Sequence, residues 1–312
     1  MSLSAFLAFP GQGSQHISML SNGGIKDIAL SSEYSHVMEY CSELISHDVF
    51  KLIEEGPEDL LSQTSITQPI LVLCSYLHFE KLINSIDITP TYLAGHSLGE
   101  YSALVAGNSI TIIEALNLVR KRGELMELAP SGSMSAIMGL NEDIIAELCI
   151  AASNSDNSHV QCANLNSPNQ TVISGHDDAI ERAQELCTSN GAKRAIKLKV
   201  SIASHSLLMK EAANEFQKTL NTVQFSMPDI KIIHNVSVDS VSSAQEIPPL
   251  LVSQLYSPVR WVETCNFISS LDLPIVECGP GKVLSGLFKA NKLENYFSSS
   301  DEEFYEKINN YG

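Results

Sequence analysis

The chain has 312 residues, 44% of them hydrophobic and 18% charged, enough apolar material for one large or two modest globular domains. A formal net charge of -17 argues against a nucleic-acid partner, because phosphate binding demands clustered Lys and Arg. No apolar run approaches the roughly 18 to 20 residues needed to cross a bilayer, and the opening Met1–Phe6 lacks the positive start of a secretory signal. A cytoplasmic protein with no membrane contact is therefore expected.

Ala5–Phe9 reads as a short buried strand running into the glycine-rich loop Pro10-Gly11-Gln12-Gly13-Ser14-Gln15. The loop is no dinucleotide fingerprint, since His16 stands where a third glycine belongs, and no Lys follows at the spacing of a phosphate loop. Largely helical stretches come next, punctuated by Gly56-Pro57, and Gln68 to Asn84 reads as one long apolar helix. The strand Tyr92-Leu93-Ala94 then meets Gly95-His96-Ser97-Leu98-Gly99, ahead of the helix-compatible Glu100–Ala106.

That pentapeptide reads as a nucleophile elbow. A sharp strand-to-helix turn holds its central serine in a strained conformation, and both glycines are needed to avoid collisions with strand and helix. The turn aims a helix N-terminus at the serine oxygen, which suits acyl transfer. Taken alone the motif is weak, since a chain of this length produces it by chance about one time in ten.

From Ser133 to Ser201 the pattern changes. Ala136–Leu140 reads as a strand, Glu142–Ala152 as a helix capped by Asn141, and His159–Asn164 and Gln170–Ser174 as strands. Asp177–Asn190 follows as a helix and Lys193–Val200 as a strand. This β-α-β-β-α-β order is that of a ferredoxin-like unit, inserted into a larger domain. Beyond it, Leu207–Leu220 is expected to be helical, Ile230–Asn235 a strand, and Pro249–Ser269 helical despite Pro258. Pro274–Glu277 is a further strand, the turn Gly279-Pro280-Gly281 leads into a last helix, and Ser298–Gly312 reads as a loosely held acidic tail. Strands alternating with helices predict an α/β fold with a mostly parallel sheet covered on both faces. The expected division is a large catalytic domain from 1–132 and 202–312 and a small inserted domain at 133–201. The seven scattered cysteines form no C-x-x-C pair and read as reduced, mostly buried thiols, while the nine histidines show no ligand spacing, so no metal is expected.

Besides the elbow and the first glycine loop, the chain carries Val200-Ser201-Ile202-Ala203-Ser204-His205, Gln254-Leu255-Tyr256-Ser257-Pro258-Val259-Arg260-Trp261 and Gly279-Pro280-Gly281-Lys282-Val283-Leu284. In this order, from about Phe6 to Lys289, these elements resemble the malonyl-CoA:acyl-carrier-protein transacylases of fatty acid synthesis. The resemblance implies an α/β-hydrolase-like large domain and a Ser–His pair, with Ser97 as nucleophile and His205 as general base. It implies that the main-chain carbonyl of Gln254 orients the histidine ring, and that the N–H groups of Leu98 and Gln12 hold the oxyanion. Arg122 matches the arginine that pairs with the malonyl carboxylate, although Arg120 and Lys121 lie beside it and the residues alone do not choose among the three. His96 is a secondary polar contact to the same acyl group. Ala203 stands where relatives often carry proline, which loosens the backbone before His205.

The implied reaction is ping-pong. Malonyl-CoA acylates the serine, and the phosphopantetheine thiol of an acyl carrier protein takes the group on; coenzyme A is a substrate and no bound cofactor is expected. Two rivals stand beside it: a serine hydrolase, which would release free acid, and a catalytically idle module, which would gain no adduct. Independently of the resemblance, Lys193, Arg194, Lys197 and Lys199 crowd the approach to His205, with Lys282 and Lys289 as additions. In so acidic a chain they are a candidate dock for an acidic carrier, the alternative being the solvated face of a half-buried strand.

Overall fold

A computed structural model describes residues 2–153 and 158–311. They form two sheets. The larger is parallel throughout, in the order β7-β2-β1-β8-β9, from β1 (Leu3–Phe9), β2 (Ile88–Gly95), β7 (Lys231–Ile233), β8 (Ile275–Glu277) and β9 (Tyr296–Ser298). The central β1 is wholly buried from Ala5 to Phe9, as a near-continuous apolar strand covered on both faces should be. Its register pairs Phe9 with Gly95, so the glycine-rich loop and the elbow leave the sheet side by side at its carboxyl end. Crevices at that end of parallel sheets are where ligands bind.

Behind the elbow lies the helix Thr64–Ser85, buried around nearly its whole circumference, with Pro69 inside its first turns. The helix Ile112–Leu128 packs along it, opened by a reciprocal cap between Thr111 and Glu114. Its buried stripe runs through Ala115, Leu118, Val119, Arg122 and Met126, a helical period that carries one guanidinium into the core.

The smaller sheet is antiparallel, in the order β4-β5-β3-β6, from β3 (Ser133–Met138), β4 (Val160–Ser167), β5 (Gln170–Gly175) and β6 (Arg194–Lys197). The helices Glu142–Ala152 and Asp177–Ser189 cover one face through Ile145, Cys149, Ile180 and Ala183 against Ile137 and Ile173. Asn141 caps the first of them, accepting from the Asp143 N–H at 2.7 Å. The expected strand Lys193–Val200 pairs over Arg194–Lys197 alone.

Two expectations need correction. The stretch Pro249–Ser269 is not one helix: it breaks between Ile247–Gln254 and Trp261–Ser269. Pro258 lacks an N–H and disfavours a helical Ser257, and Val259 instead exchanges bonds with the small sheet, donating to Ala163 O at 2.8 Å and accepting from Leu165 N at 2.9 Å. The stretch from Ser298 is not a loose tail either. Tyr296–Ser298 joins the large sheet, and the helix Phe304–Asn309 buries Phe304 and Ile308, an i, i+4 pair, against the core. Its charged residues face out; Gly312 lies outside the described residues. Six of the seven cysteines are buried, and Cys162 is half-buried.

Candidate active site

Ser97 sits at φ 51°, a left-handed conformation that costs a serine energy and is kept only where the surroundings impose it. Two glycines make room: a Cβ on Gly95 would stand 1.9 Å from the Gly99 carbonyl carbon, and one on Gly99 would stand 2.0 Å from Phe9 O. The turn is also tied from outside. Ser97 N donates to Asn235 Oδ1 at 2.7 Å, Asn235 Nδ2 donates to Gly95 O at 2.6 Å, and Asn235 N donates to Glu100 Oε2 at 3.0 Å. Sequence reasoning missed Asn235 and Glu100. The available signal was Asn235's place at the carboxyl end of an expected parallel strand, where polar residues line sites.

The Ser97 Oγ lies 2.8 Å from His205 Nε2, and His205 Nδ1 lies 2.7 Å from Gln254 O. A carbonyl only accepts, so Nδ1 carries the ring proton and Nε2 is the free acceptor facing the serine hydroxyl. The break in the helix after Gln254 presents that carbonyl. The Gln254 side chain, to which the sequence reading gave no part, is fully buried: its Nε2 donates to Ser97 O at 3.0 Å and to Glu100 Oε2 at 2.9 Å. Glu100 also accepts from His234 Nδ1 at 2.7 Å, so this carboxylate beneath the elbow receives three donors.

Burial, with the nearby Arg122 charge second, pushes the His205 imidazole down from 6.5 to about 3. A base must be unprotonated to act, and a lowered pKa keeps it so as the pH falls through the ordinary histidine range. The acid limb of Ser97 acylation is therefore expected well below pH 6.5. Single-turnover rates with acetyl-CoA, which has no titrating free carboxylate, measure it; a limb at the ordinary histidine value would contradict a buried neutral base.

Arg122 is 2% exposed. Its Nη1 donates to Gln68 Oε1 at 3.0 Å, and its Nη2 reaches Gln254 Oε1 at 3.2 Å and Ser97 Oγ at 3.4 Å. The guanidinium carbon lies 5.8 Å from the Tyr101 ring centroid. Among the described residues Nε has no acceptor, and no carboxylate lies within ion-pair distance. Its neighbours point elsewhere: Arg120 bonds Glu124 Oε1 and Ser65 O, both at 2.9 Å, and Lys121 stands 3.8 Å from Glu124 Oε2. Of the three adjacent cations, Arg122 is the one at the serine.

The loop after β1 closes on the elbow so tightly that a Cβ on Gly11 would lie 2.4 Å from His96 O and 3.6 Å from Leu98 N. Among the described residues, neither the Leu98 nor the Gln12 N–H has a protein acceptor, while the Gln12 side chain donates to Thr64 Oγ1 at 3.2 Å. His96 turns toward the small sheet, with Nε2 2.9 Å from Asn166 Oδ1 and its ring edge-on to Trp261. Burial lowers its pKa. The basic cluster is exposed, but Lys197 is engaged by Asp177 at 3.0 Å and lies 4.0 Å from Glu181, and Lys282 pairs with Asp301.

A serine on a strained elbow beside a neutral histidine is machinery for acyl transfer, and residues 6–280 match the acyl transferase domain family: the protein is an acyltransferase. It is 42% identical over 311 residues to the malonyl CoA-acyl carrier protein transacylase of Bacillus subtilis, across 98% of this chain and 96% of that one. An acyl carrier protein S-malonyltransferase from Vibrio cholerae, solved by crystallography, superposes with a TM-score of 0.90 at 39% identity, covering 97% of this chain and 99% of the other. A malonyl-transacylase solved with a type II polyketide acyl carrier protein gives 0.90 at 37% identity over 100% of both chains. The chain belongs to the malonyl-CoA–acyl carrier protein transacylase family.

Proposed function

We propose that the protein moves a malonyl group from malonyl-CoA to the phosphopantetheine thiol of an acyl carrier protein, through an ester on Ser97, in support of fatty acid synthesis. One observation carries the choice of acyl group: Arg122 is a buried guanidinium without a carboxylate partner among the described residues, 3.4 Å from the Ser97 hydroxyl. A buried charge without a counter-ion is costly, and the free carboxylate of a malonyl group supplies that counter-ion at the distance its thioester needs from the serine.

In the first half-reaction His205 Nε2 takes the hydroxyl proton as Ser97 Oγ attacks the thioester carbonyl. The N–H groups of Leu98 and Gln12 receive the oxyanion, and collapse expels coenzyme A, which takes the proton back from His205. The pantetheine thiol then gives its proton to His205 and attacks the ester, and Ser97 leaves reprotonated. Every step uses side chains and main-chain N–H groups already described, so neither a metal nor a resident cofactor is needed. His96 adds a polar contact beside the acyl group. A hydrolase triad would place a carboxylate on His205 Nδ1, where a main-chain carbonyl stands instead.

We read the larger sheet with its helices, 1–132 and 202–312, as an α/β-hydrolase-like domain, and 133–201 as an inserted ferredoxin-like one, a reading supported by the strand order β4-β5-β3-β6. Among the described residues no helix is long and apolar enough to cross a membrane, in keeping with a cytoplasmic enzyme.

The test uses intact-mass measurement. Mixing with malonyl-CoA adds one malonyl mass, and acyl carrier protein then removes it and gains it. An adduct decaying to free malonate at a rate indifferent to carrier would mark a hydrolase, and no adduct an idle module. We assign the carrier dock to Lys193, Arg194 and Lys199, leaving out Lys197 because Asp177 already engages it. Reversing those three charges to Glu should leave acylation by malonyl-CoA near normal but slow transfer to carrier about tenfold, with a flatter salt dependence. Unchanged transfer would reduce the cluster to a wet strand face.

A further inference from the structure

The catalytic histidine occupies a conformation that needs support. His205 sits at φ 60°, which non-glycine residues hold only when their surroundings over-determine it. Its own N–H is pinned from the large domain, donating to Leu255 O at 2.9 Å. Its carbonyl is pinned from the small sheet: Gln161, on β4, donates from Nε2 to His205 O at 3.0 Å and to Tyr256 O at 3.1 Å. The same amide accepts from Leu207 N through Oε1 at 3.2 Å. One side chain thus grips the segment bearing the base and the segment just past Gln254, whose carbonyl aligns the ring. A primary amide suits this place because it offers two donors and an acceptor in one plane, and all three are used.

We infer that Gln161 is a positioning residue for the general base: by clamping His205 O, Tyr256 O and Leu207 N, it lets the small sheet set the aim of His205 Nε2 at Ser97. The inference rests on the reading of His205 as the base in the transfer. Gln161 shares no hydrogen-bond partner with Arg122, whose partners are Gln68, Gln254 and Ser97, so it acts on proton transfer and not on recognition of the acyl carboxylate.

Two variants test it. Gln161→Met keeps the length of the side chain and removes its polar atoms; Gln161→Glu keeps an acceptor for Leu207 N and turns a carboxylate on two carbonyl oxygens. Acylation of Ser97 is followed by intact mass with saturating malonyl-CoA and acetyl-CoA, alongside KM and thermal melting. The expected result is an acylation rate at least about tenfold lower for Gln161→Met, since small misplacements of a catalytic group are costly. Gln161→Glu should be slower still. KM should stay within about twofold and both acyl donors should lose rate equally, which separates a misaimed base from a lost carboxylate contact. Full acylation rates in both variants would overturn the inference, as would a lowered melting temperature with an unchanged rate in the folded fraction. A wild-type protein that gains no adduct overturns instead the transferase reading beneath it.

Discussion

Ser97→Ala is expected to gain no malonyl mass from malonyl-CoA and to lose transfer to carrier protein by at least about 10⁴-fold, the order seen when a serine nucleophile is removed. The hydroxyl is an atom that His205 Nε2 at 2.8 Å and Arg122 Nη2 at 3.4 Å both face. The fold should survive. Alanine is smaller than serine, and the elbow's external ties use the main-chain N–H of residue 97 and the Gly95 carbonyl, which the substitution leaves in place. Intact mass and a melting curve on the same sample check both halves, and a malonyl adduct persisting in this variant would sink the assignment of Ser97.

Arg122→Ala is expected to separate malonyl transfer from acetyl transfer. A malonyl carboxylate arriving in this pocket without the guanidinium is desolvated and unpaired, a loss of about 2 to 5 kcal/mol for one side of such a pair. That corresponds to a drop of roughly 30-fold to several thousandfold in kcat/KM for malonyl-CoA. Acetyl-CoA brings no carboxylate, so its transfer should fall much less, by whatever Arg122 contributes through its contact with Ser97. Equal losses for both donors would make Arg122 structural. Arg120→Ala is the matched control, because its guanidinium is spent on Glu124 and the Ser65 carbonyl and never reaches the serine.

The elbow was legible because its constraints are local, two glycines and a serine behind a strand, and because the other motifs stood with it in order. The helix Ile112–Leu128 was not read from the sequence, yet its apolar period held the signal that singles out Arg122, three residues after Val119 and four before Met126 on the buried face, whereas Arg120 and Lys121 fall off it. What could not be read were ties made across the fold. Asn235 grips residue 97 from 138 positions away, and Gln161 reaches His205 over 44. Nothing in the sequence neighbourhood of either residue announces such a partner. The break after Gln254 was masked by apolar residues on both sides of Pro258, whose proper weight was that of a helix stop. At the C-terminal end the acidic composition hid the spacing of Phe304 and Ile308.

That C-terminal segment changes what the large sheet shows to its surroundings. Without Tyr296–Ser298 the outermost strand would be β8, whose Ile275 and Val276 are buried and whose main-chain groups would face outward as a template for another chain. With it, β8 is paired on both sides, by β1 and by β9, and its main-chain groups are spent inside the sheet. The same segment supplies Ser299, whose hydroxyl accepts from Gly279 N at 3.1 Å and lies 3.0 Å from Nδ1 of the buried His78. The last strand and helix therefore act as a selvedge on the sheet, closing off the main-chain groups that the buried β8 would otherwise leave open.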